Sequence, residues 1–257
     1  MDSEKTGNKL GISKAFILAG GRGERLGELG KDKPKVMMNV QGKPLLEWNI
    51  ELCKKYGITQ IVLGVGYLHE QIESYFGNGK KFRVQISYSV EKEFLGTAGA
   101  FKLAEPFFES EKKFVMMNGD EVKDVLFEKL NQVFESEQAW AADALVPTPD
   151  VSKSGSVKLD GHFITDFLEK NPKAQNEKGL VNAGAYILSE KIFGLILPCQ
   201  KVSIERDIFP RLARDGHMVG VSCLGQWFQT DTLEKLQKAE NQWKTRFNKK
   251  ETHLNLF

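Results

Sequence analysis

The apolar positions of this 257-residue chain fall into short runs separated by glycine and polar clusters. Residues 15–19, Ala-Phe-Ile-Leu-Ala, form an unbroken run that stops at Gly20 and Gly21, the pattern of a strand buried on both faces. Residues 36–40 predict a short strand and 41–44 a turn, with Pro44 suited to the first helical position. Leu45, Leu46, Trp48, Ile50, Leu52 and Cys53 then recur at mainly helical spacing until Gly57. A buried strand is predicted over 58–65, a helix over 68–76 ending at Gly77, and a strand over 82–90. A glycine turn follows, then a helix through Ala104, a strand over 114–117, an amphipathic helix over 126–138 and a strand over 139–146.

Beyond Pro147 and Pro149 the rhythm changes. Short strands are predicted at 156–159 and 162–168 and a longer one at 180–188, with a helix start near Ser203. The last pattern is a strand ending at Asp231 and a helix from Thr232 that carries Leu233, Leu236, Ala239, Gln242 and Trp243. Strands alternating with helices predict an α/β fold: a Rossmann-like, mostly parallel mixed sheet sandwiched by helices. We expect tails at 1–13 and 248–257 and one domain over 14–247. Within it, 14–146 forms a first part and 147–231 a second, smaller lobe.

Composition narrows the function classes. A net charge of +2, with 41% hydrophobic and 27% charged residues, provides no general field for nucleic acid or an anionic membrane. Phosphate binding, if present, must be local. No apolar run approaches the length of a membrane span, and residues 1–13 lack the apolar stretch of a secretory signal. Three scattered cysteines fit a reducing cytoplasm and argue against a disulfide frame or zinc site. The four histidines have no metal-ligand spacing and read as structural or surface residues.

The chemistry concentrates just after the first strand. Gly20, Gly21 and Gly23 leave bare backbone N–H groups that can cradle an anion. Arg25 adds a fork for phosphate oxygens and Lys35 a point charge. An ordinary glycine-rich turn with solvated charges would read the same way in isolation. The string is not a Walker A loop, for no Gly-Lys-Ser/Thr follows, nor a dinucleotide fingerprint, for Leu26 stands where glycine or alanine is required. Asp120 leaves a buried strand, a place for Mg²⁺ and equally for a capping aspartate. Glu169 and Lys170 could be a surface ion pair. Asn182 and Gly184 interrupt a strand, where a ligand or another backbone approaches closely. Ser203 and Glu205 fit a helix cap with an acidic first turn or a sugar contact.

The longer string, Leu18-Ala19-Gly20-Gly21-x-Gly23-x-Arg25-Leu26 followed by Pro34-Lys35, resembles the signature of the sugar-1-phosphate nucleotidyltransferases, with Glu24 where that family usually has threonine. Four later strings match in order. Gly96-Thr97-Ala98-Gly99 resembles the second nucleotide-facing loop, and Gly119-Asp120 the metal-binding aspartate, with Glu121 where small residues are frequent. Phe167-x-Glu169-Lys170 resembles a Phe-x-Glu-Lys-Pro element, its proline displaced by Asn171. Asn182-Ala183-Gly184-x-Tyr186 matches the sugar-side strand. Most relatives end in Trp-x-Asp-Ile-Gly-Thr-Pro. Here Gln229 stands at that aspartate, and Asp231-Thr232 is similar to the ending of glucose-1-phosphate cytidylyltransferases. No hexapeptide repeat follows, so the β-helix of longer relatives is not expected.

The resemblance implies attack of a sugar 1-phosphate on the α-phosphorus of a nucleoside triphosphate, giving an NDP-sugar and pyrophosphate. It implies Arg25, Lys35, Asp120 and Lys170 as catalytic, and Leu18, Ala19, Gly20, Gly21, Gly23, Gly96 and Thr97 as nucleotide-binding. Glu169, Lys170, Asn182, Gly184 and Glu205 would hold the sugar phosphate, and Asp120 and Asp231 the Mg²⁺. The flanking strings look most like heptose- or mannose-1-phosphate guanylyltransferases, so GTP is favoured, with CTP and a hexose 1-phosphate next. A phosphocholine cytidylyltransferase of the same fold is an alternative, as is a non-catalytic homologue that binds nucleotide or sugar. Relatives of this size occur as monomers and homodimers.

Overall fold

A computed structural model describes residues 10–244. Strand β1 (Lys14–Leu18) leads through a 3-10 segment (Glu24–Gly30) and a 3-10 turn (Lys35–Met37) into a small hairpin, β2 (Asn39–Val40) and β3 (Lys43–Pro44). Then come α1 (Leu45–Lys55), β4 (Gln60–Val65), α2 (His69–Phe76), β5 (Gln85–Val90), α3 (Gly96–Leu103), β6 (Lys113–Asn118), β7 (Glu121–Val125), α4 (Phe127–Ser136) and β8 (Ala141–Thr148). The chain continues through β9 (Gly155–Asp160), β10 (Phe163–Glu169), β11 (Gly179–Ser189), a π turn (Ile204–Ile208), α5 (Phe209–Arg214), β12 (Met218–Ser222), β13 (Leu224–Gln229) and α6 (Leu233–Gln242). No helix among the described residues is long and apolar enough to cross a membrane. The tail expected at 248–257, and most of the one expected at 1–13, lie outside the described residues.

Nine strands form the main sheet in the order β5-β4-β1-β6-β11-β8-β12-β10-β9. From β5 to β6 every pair is parallel. Beyond β6 the sheet is mixed, with β8 and β12 parallel and β11, β10 and β9 paired antiparallel. The period of two along β1 explains its unbroken apolar run. Ala15 and Ile17 pack among buried residues of α1, α2 and α4, while Phe16 packs on the other face with residues of α3 and α5. The chain goes from β1 outward to β4 and β5, then returns to the other side of β1 as β6. That reversal makes a crevice at the carboxyl ends of β1 and β6, where open α/β sheets bind ligands.

Two local expectations are corrected, and one strand is added. The strand over 36–40 is mostly a 3-10 turn, closed by Met37 N–H to Pro34 O at 2.9 Å and Met38 N–H to Lys35 O at 3.0 Å, and only Asn39 and Val40 extend. A short buried run cannot be told from a turn by hydropathy alone. Likewise the strand over 82–90 begins at Gln85, because Arg83 adopts a left-handed conformation (φ 60°) after a 3-10 turn. β7 is not evident from the sequence pattern: Lys123 and Asp124 break its apolar run, yet both are buried. It pairs antiparallel with β13 as a separate ribbon, which rests on Trp48, Leu45 and Trp243.

Phe101 is fully buried, and its ring lies 4.4 Å from Phe193, 5.3 Å from Phe16 and 5.4 Å from Phe114, centroid to centroid. Phe101→Ala leaves a cavity between α3 and β1 and should cost about 3–5 kcal/mol. Chemical denaturation checks this; a loss below about 1 kcal/mol would show that the aromatic cluster collapses around the gap.

Candidate active site

The loops after β1 and β6 are neighbours because Leu18 and Asn118 are register partners in the parallel pair. Gly119 N–H donates to Leu18 O at 2.9 Å. A Cβ on Gly119 would meet that same oxygen at 2.6 Å, so only glycine permits this approach. It delivers Asp120 beside the Gly20–Gly21 turn. A cleft of about 730 Å³ opens there, lined by Gly20, Gly21, Gly23, Arg25, Lys35, Asp120 and Asp231 among others.

Two cation–carboxylate pairs span the cleft. Lys35, nearly buried on its 3-10 turn, donates to Asp120 Oδ2 at 2.6 Å. Arg25, on the exposed 3-10 segment, donates to Asp231 Oδ2 at 2.5 Å. Asp231 Oδ1 also accepts from Lys235 Nζ at 2.7 Å, one helical turn away at the start of α6. The β7–β13 ladder brings the two aspartates together. Gln229 is opposite Glu121, and Thr230 Oγ donates to Asp120 O at 2.6 Å. Gln229, which occupies the position of the usual aspartate, is held between Ser154 Oγ at 3.1 Å and Lys235 Nζ at 2.8 Å.

Burial by itself would raise the Asp120 carboxyl, but the charge and hydrogen bond of Lys35, with help from Lys123, hold it below the ordinary 3.8. Asp231 is also held down: burial raises it, and Lys235, Lys35 and Arg25 outweigh that. Two ionised carboxylates facing one cleft are the hard oxygen donors that Mg²⁺ takes. No group of three or more His, Cys, Asp or Glu suited to a metal ion occurs among the described residues, so other ligands would be substrate oxygens and water. Glu121 is committed elsewhere. Its Oε2 accepts from Trp227 Nε1 at 2.9 Å and pairs with Lys123 at 3.3 Å. Burial pushes its carboxyl up, Lys123 opposes, and Asp120 adds to the rise.

Lys35 and Asp120 also border two smaller recesses, of about 180 and 190 Å³. The first is walled by Leu18, Gly20, Gly21, Gly96 and Thr97, with Glu91 and Phe94 at its rim. Of the expected nucleotide-binding residues, Ala19 does not face a cavity. Its side chain is 1% exposed in the core and its N–H donates to Gly64 O at 2.7 Å. The Gly96-Thr97-Ala98-Gly99 string is the first turn of α3 instead of an open loop. A Cβ on Gly96 or Gly99 would meet the carbonyls of Val202 or Gln200 at 2.5 Å, so close packing requires both glycines. Thr97 Oγ1 donates to Glu205 Oε2 at 2.6 Å and accepts from Ile204 N–H at 2.8 Å, which joins this recess to the second one.

That second recess collects Glu169, Lys170, Asn182, Gly184 and Glu205. Between Asn182 and Tyr186 the β11 register slips against β8, a bulge in which Gly184 has φ 62°. Its N–H donates to Asn182 Oδ1 at 2.6 Å, and Asn182 Nδ2 donates to Tyr186 Oη at 2.7 Å. Lys170 lies at the end of β10, 3.9 Å from Glu169 and 43% exposed, with its charge turned to the recess instead of to a tight pair. Burial, with the charge of Glu205, raises the Glu169 carboxyl against the pull of Lys170. Ser203 accepts from Arg206 N–H at 3.2 Å and also donates to Glu205 Oε2 at 2.8 Å, so the cap and the acidic side chain are parts of one arrangement.

Sequence reading missed Glu91, Phe94, Lys153, Ser154 and Lys235. Lys235 had a signal, because it stands one helical turn beyond Asp231. Glu91 had a weaker one, an acidic residue where a strand hands over to a glycine turn. Its Oε1 lies 2.6 Å from where a Cβ on Gly20 would sit.

Residues 14–246 match the family described as "Nucleotidyl transferase". The D-glycero-alpha-D-manno-heptose 1-phosphate guanylyltransferase of Aneurinibacillus thermoaerophilus is 35% identical over 202 residues, 77% of this chain and 84% of that protein. The enzyme of the same name from Campylobacter jejuni is 37% identical over 193 residues, 75% of this chain and 83% of its own. The crystal structure of HddC from Yersinia pseudotuberculosis complexed with GMP-PN superposes with a TM-score of 0.75 at 28% identity, covering 91% of this chain and all of that one. With its glycine turn, paired aspartates and two recesses in the matched region, this chain belongs to the nucleotidyl transferase family.

Proposed function

We propose that the protein transfers a nucleotidyl group from a nucleoside triphosphate to a sugar 1-phosphate, with GTP and a heptose or mannose 1-phosphate as the preferred pair. The observation that supports this best is the sharing of Lys35 and Asp120 by all three hollows. A group transferred between two substrates has to lie where their recesses meet, and Lys35 and Asp120 mark that place.

An oxygen of the sugar phosphate attacks the α-phosphorus, forming one P–O bond. The bond to the β-phosphate bridging oxygen breaks, and pyrophosphate leaves with the electron pair. The nucleophile is already an anion, so no base is required, and alignment and charge neutralisation are the obstacles. Mg²⁺ held by Asp120 and Asp231 would supply Lewis-acid neutralisation of the phosphates. Arg25 and Lys35, each paired with one of these aspartates, stand at the cleft as donors to phosphate: Arg25 would stabilise the leaving pyrophosphate and Lys35 the α-phosphate. Lys170 holds the incoming sugar phosphate, and Glu169, Asn182 and Glu205 take sugar hydroxyls. The three free cysteines fit a cytoplasmic setting for such a reaction.

Glu91 supports guanine. A carboxylate can accept two N–H groups from the guanine edge, whereas the carbonyls of uracil or thymine would face it with like charge. The guanylyltransferase names of the Aneurinibacillus and Campylobacter relatives agree with this preference.

Pyrophosphate release, measured for GTP, CTP, UTP and dTTP against heptose-, mannose- and glucose-1-phosphate and phosphocholine, should be greatest for GTP with heptose or mannose 1-phosphate. Release confined to CTP and phosphocholine would move the assignment to the choline branch. Lys35→Met or Asp120→Asn should lower kcat by about 10²–10³ with the fold intact by circular dichroism. Unchanged kcat in either variant would remove that residue from the mechanism. Glu91→Gln should reduce kcat/KM for GTP by about tenfold or more, and UTP much less. An equal effect on both nucleotides would end the role given to Glu91.

A further inference from the structure

We propose that Lys123 is a positioning residue, whose buried ammonium locks the exit of β6, carrying Asp120, to the β11 bulge, carrying Asn182 and Gly184. The inference rests on the sugar-phosphate reading of the second recess. Lys123 lies on β7, and its side chain is 0% exposed. Its Nζ donates to Gly184 O at 2.8 Å and Asn118 O at 3.2 Å, and lies 3.3 Å from Glu121 Oε2. An ammonium has three N–H donors, and these are three acceptors from three strands. Glu121 is anchored in turn by Trp227 of β13. One charge therefore joins the strand that delivers the shared aspartate, the bulge that shapes the sugar recess, and the ribbon that delivers Asp231.

An ion pair so deeply buried is a weak source of stability, since a well-packed apolar pair commonly does as well. Geometry is what an apolar side chain could not supply here. The two carbonyls belong to backbone that must hold an unusual shape: Gly184 at φ 62° in a bulge, and Asn118 just before the close turn at Gly119. A Cβ on Gly184 would meet Asn118 Nδ2 at 2.5 Å, so the two segments already touch, and Lys123 sets how they do. Asp143, buried on β8 without a hydrogen-bond partner, makes no bond to Lys123, and burial raises its carboxyl well above the ordinary 3.8.

Lys123→Met alone leaves Glu121 uncompensated and is expected to lower the melting temperature sharply. The informative variant is Lys123→Met with Glu121→Gln, compared with Glu121→Gln alone so that the difference isolates Lys123. The double variant should melt near the wild-type temperature, yet have a KM for the sugar phosphate raised about tenfold and a KM for the nucleotide changed by less than about twofold (tenfold being 1.4 kcal/mol). Amide hydrogen exchange should quicken at 118–121 and 182–184 in the double variant and not elsewhere in the sheet. Wild-type exchange at those two segments in the double variant would overturn the proposal, as would a sugar-phosphate KM equal to that of Glu121→Gln alone. If the wild-type protein turns over no sugar phosphate, the reaction reading fails, and the exchange measurement still decides the role of Lys123.

Discussion

Leu18 and Asn118 sit side by side in a parallel pair, and the site depends on that pairing. Parallel strands end at the same edge, so the loops beyond them open on the same solvent. After one strand comes a turn of small residues with free N–H groups, and after the other an aspartate. The hydrogen bond from Gly119 to Leu18 O draws the two loops together until a side chain would no longer fit. β7 then carries the chain from Asp120 to its partner β13, whose end supplies the second aspartate. The site is thus assembled on sheet edges, and its first aspartate is placed by backbone hydrogen bonds instead of by a long flexible loop.

Electrostatics complete what topology begins. Neither Asp120 nor Asp231 points into the cleft alone. Each is paired with a cation that a phosphate would also attract. The pairs hold the carboxylates ionised despite burial, the state in which they can take a divalent cation. They also keep Lys35 and Arg25 at the cleft when no phosphate is bound. The second recess mixes charges, with Glu121, Glu169 and Glu205 beside Lys153 and Lys170. Carboxylates accept from hydroxyls, and ammonium groups donate to phosphate oxygens.

Some placements could be read because they follow from the local pattern: the double glycine ends a buried strand, and Asp120 stands at the exit of another, so both lie at the same edge of the sheet. Others could not. Glu121 follows Asp120 directly and could by sequence join a metal or point away, and its contacts with Lys123 and with Trp227, more than a hundred residues away, show where its carboxylate goes. The glycines at 96 and 99 read as a loop against the base, whereas the carbonyls of Gln200 and Val202 set their size. Lys123 falls between two predicted elements and has no local signal, because its three acceptors are fixed only by the folded sheet and the ribbon beside it.

Periodicity and glycine placement determined the alternating α/β rhythm and the helix faces, for these depend on neighbours within a few residues. Tertiary structure decided the mixed second half of the sheet, the β7–β13 ribbon, the bulge at Gly184 and the cation–carboxylate pairs of the cleft. Strand pairing and buried ion pairs are formed by groups far apart in the chain. Their geometry exists only once the sheet has closed, and a linear pattern contains the donors and acceptors without saying which will meet.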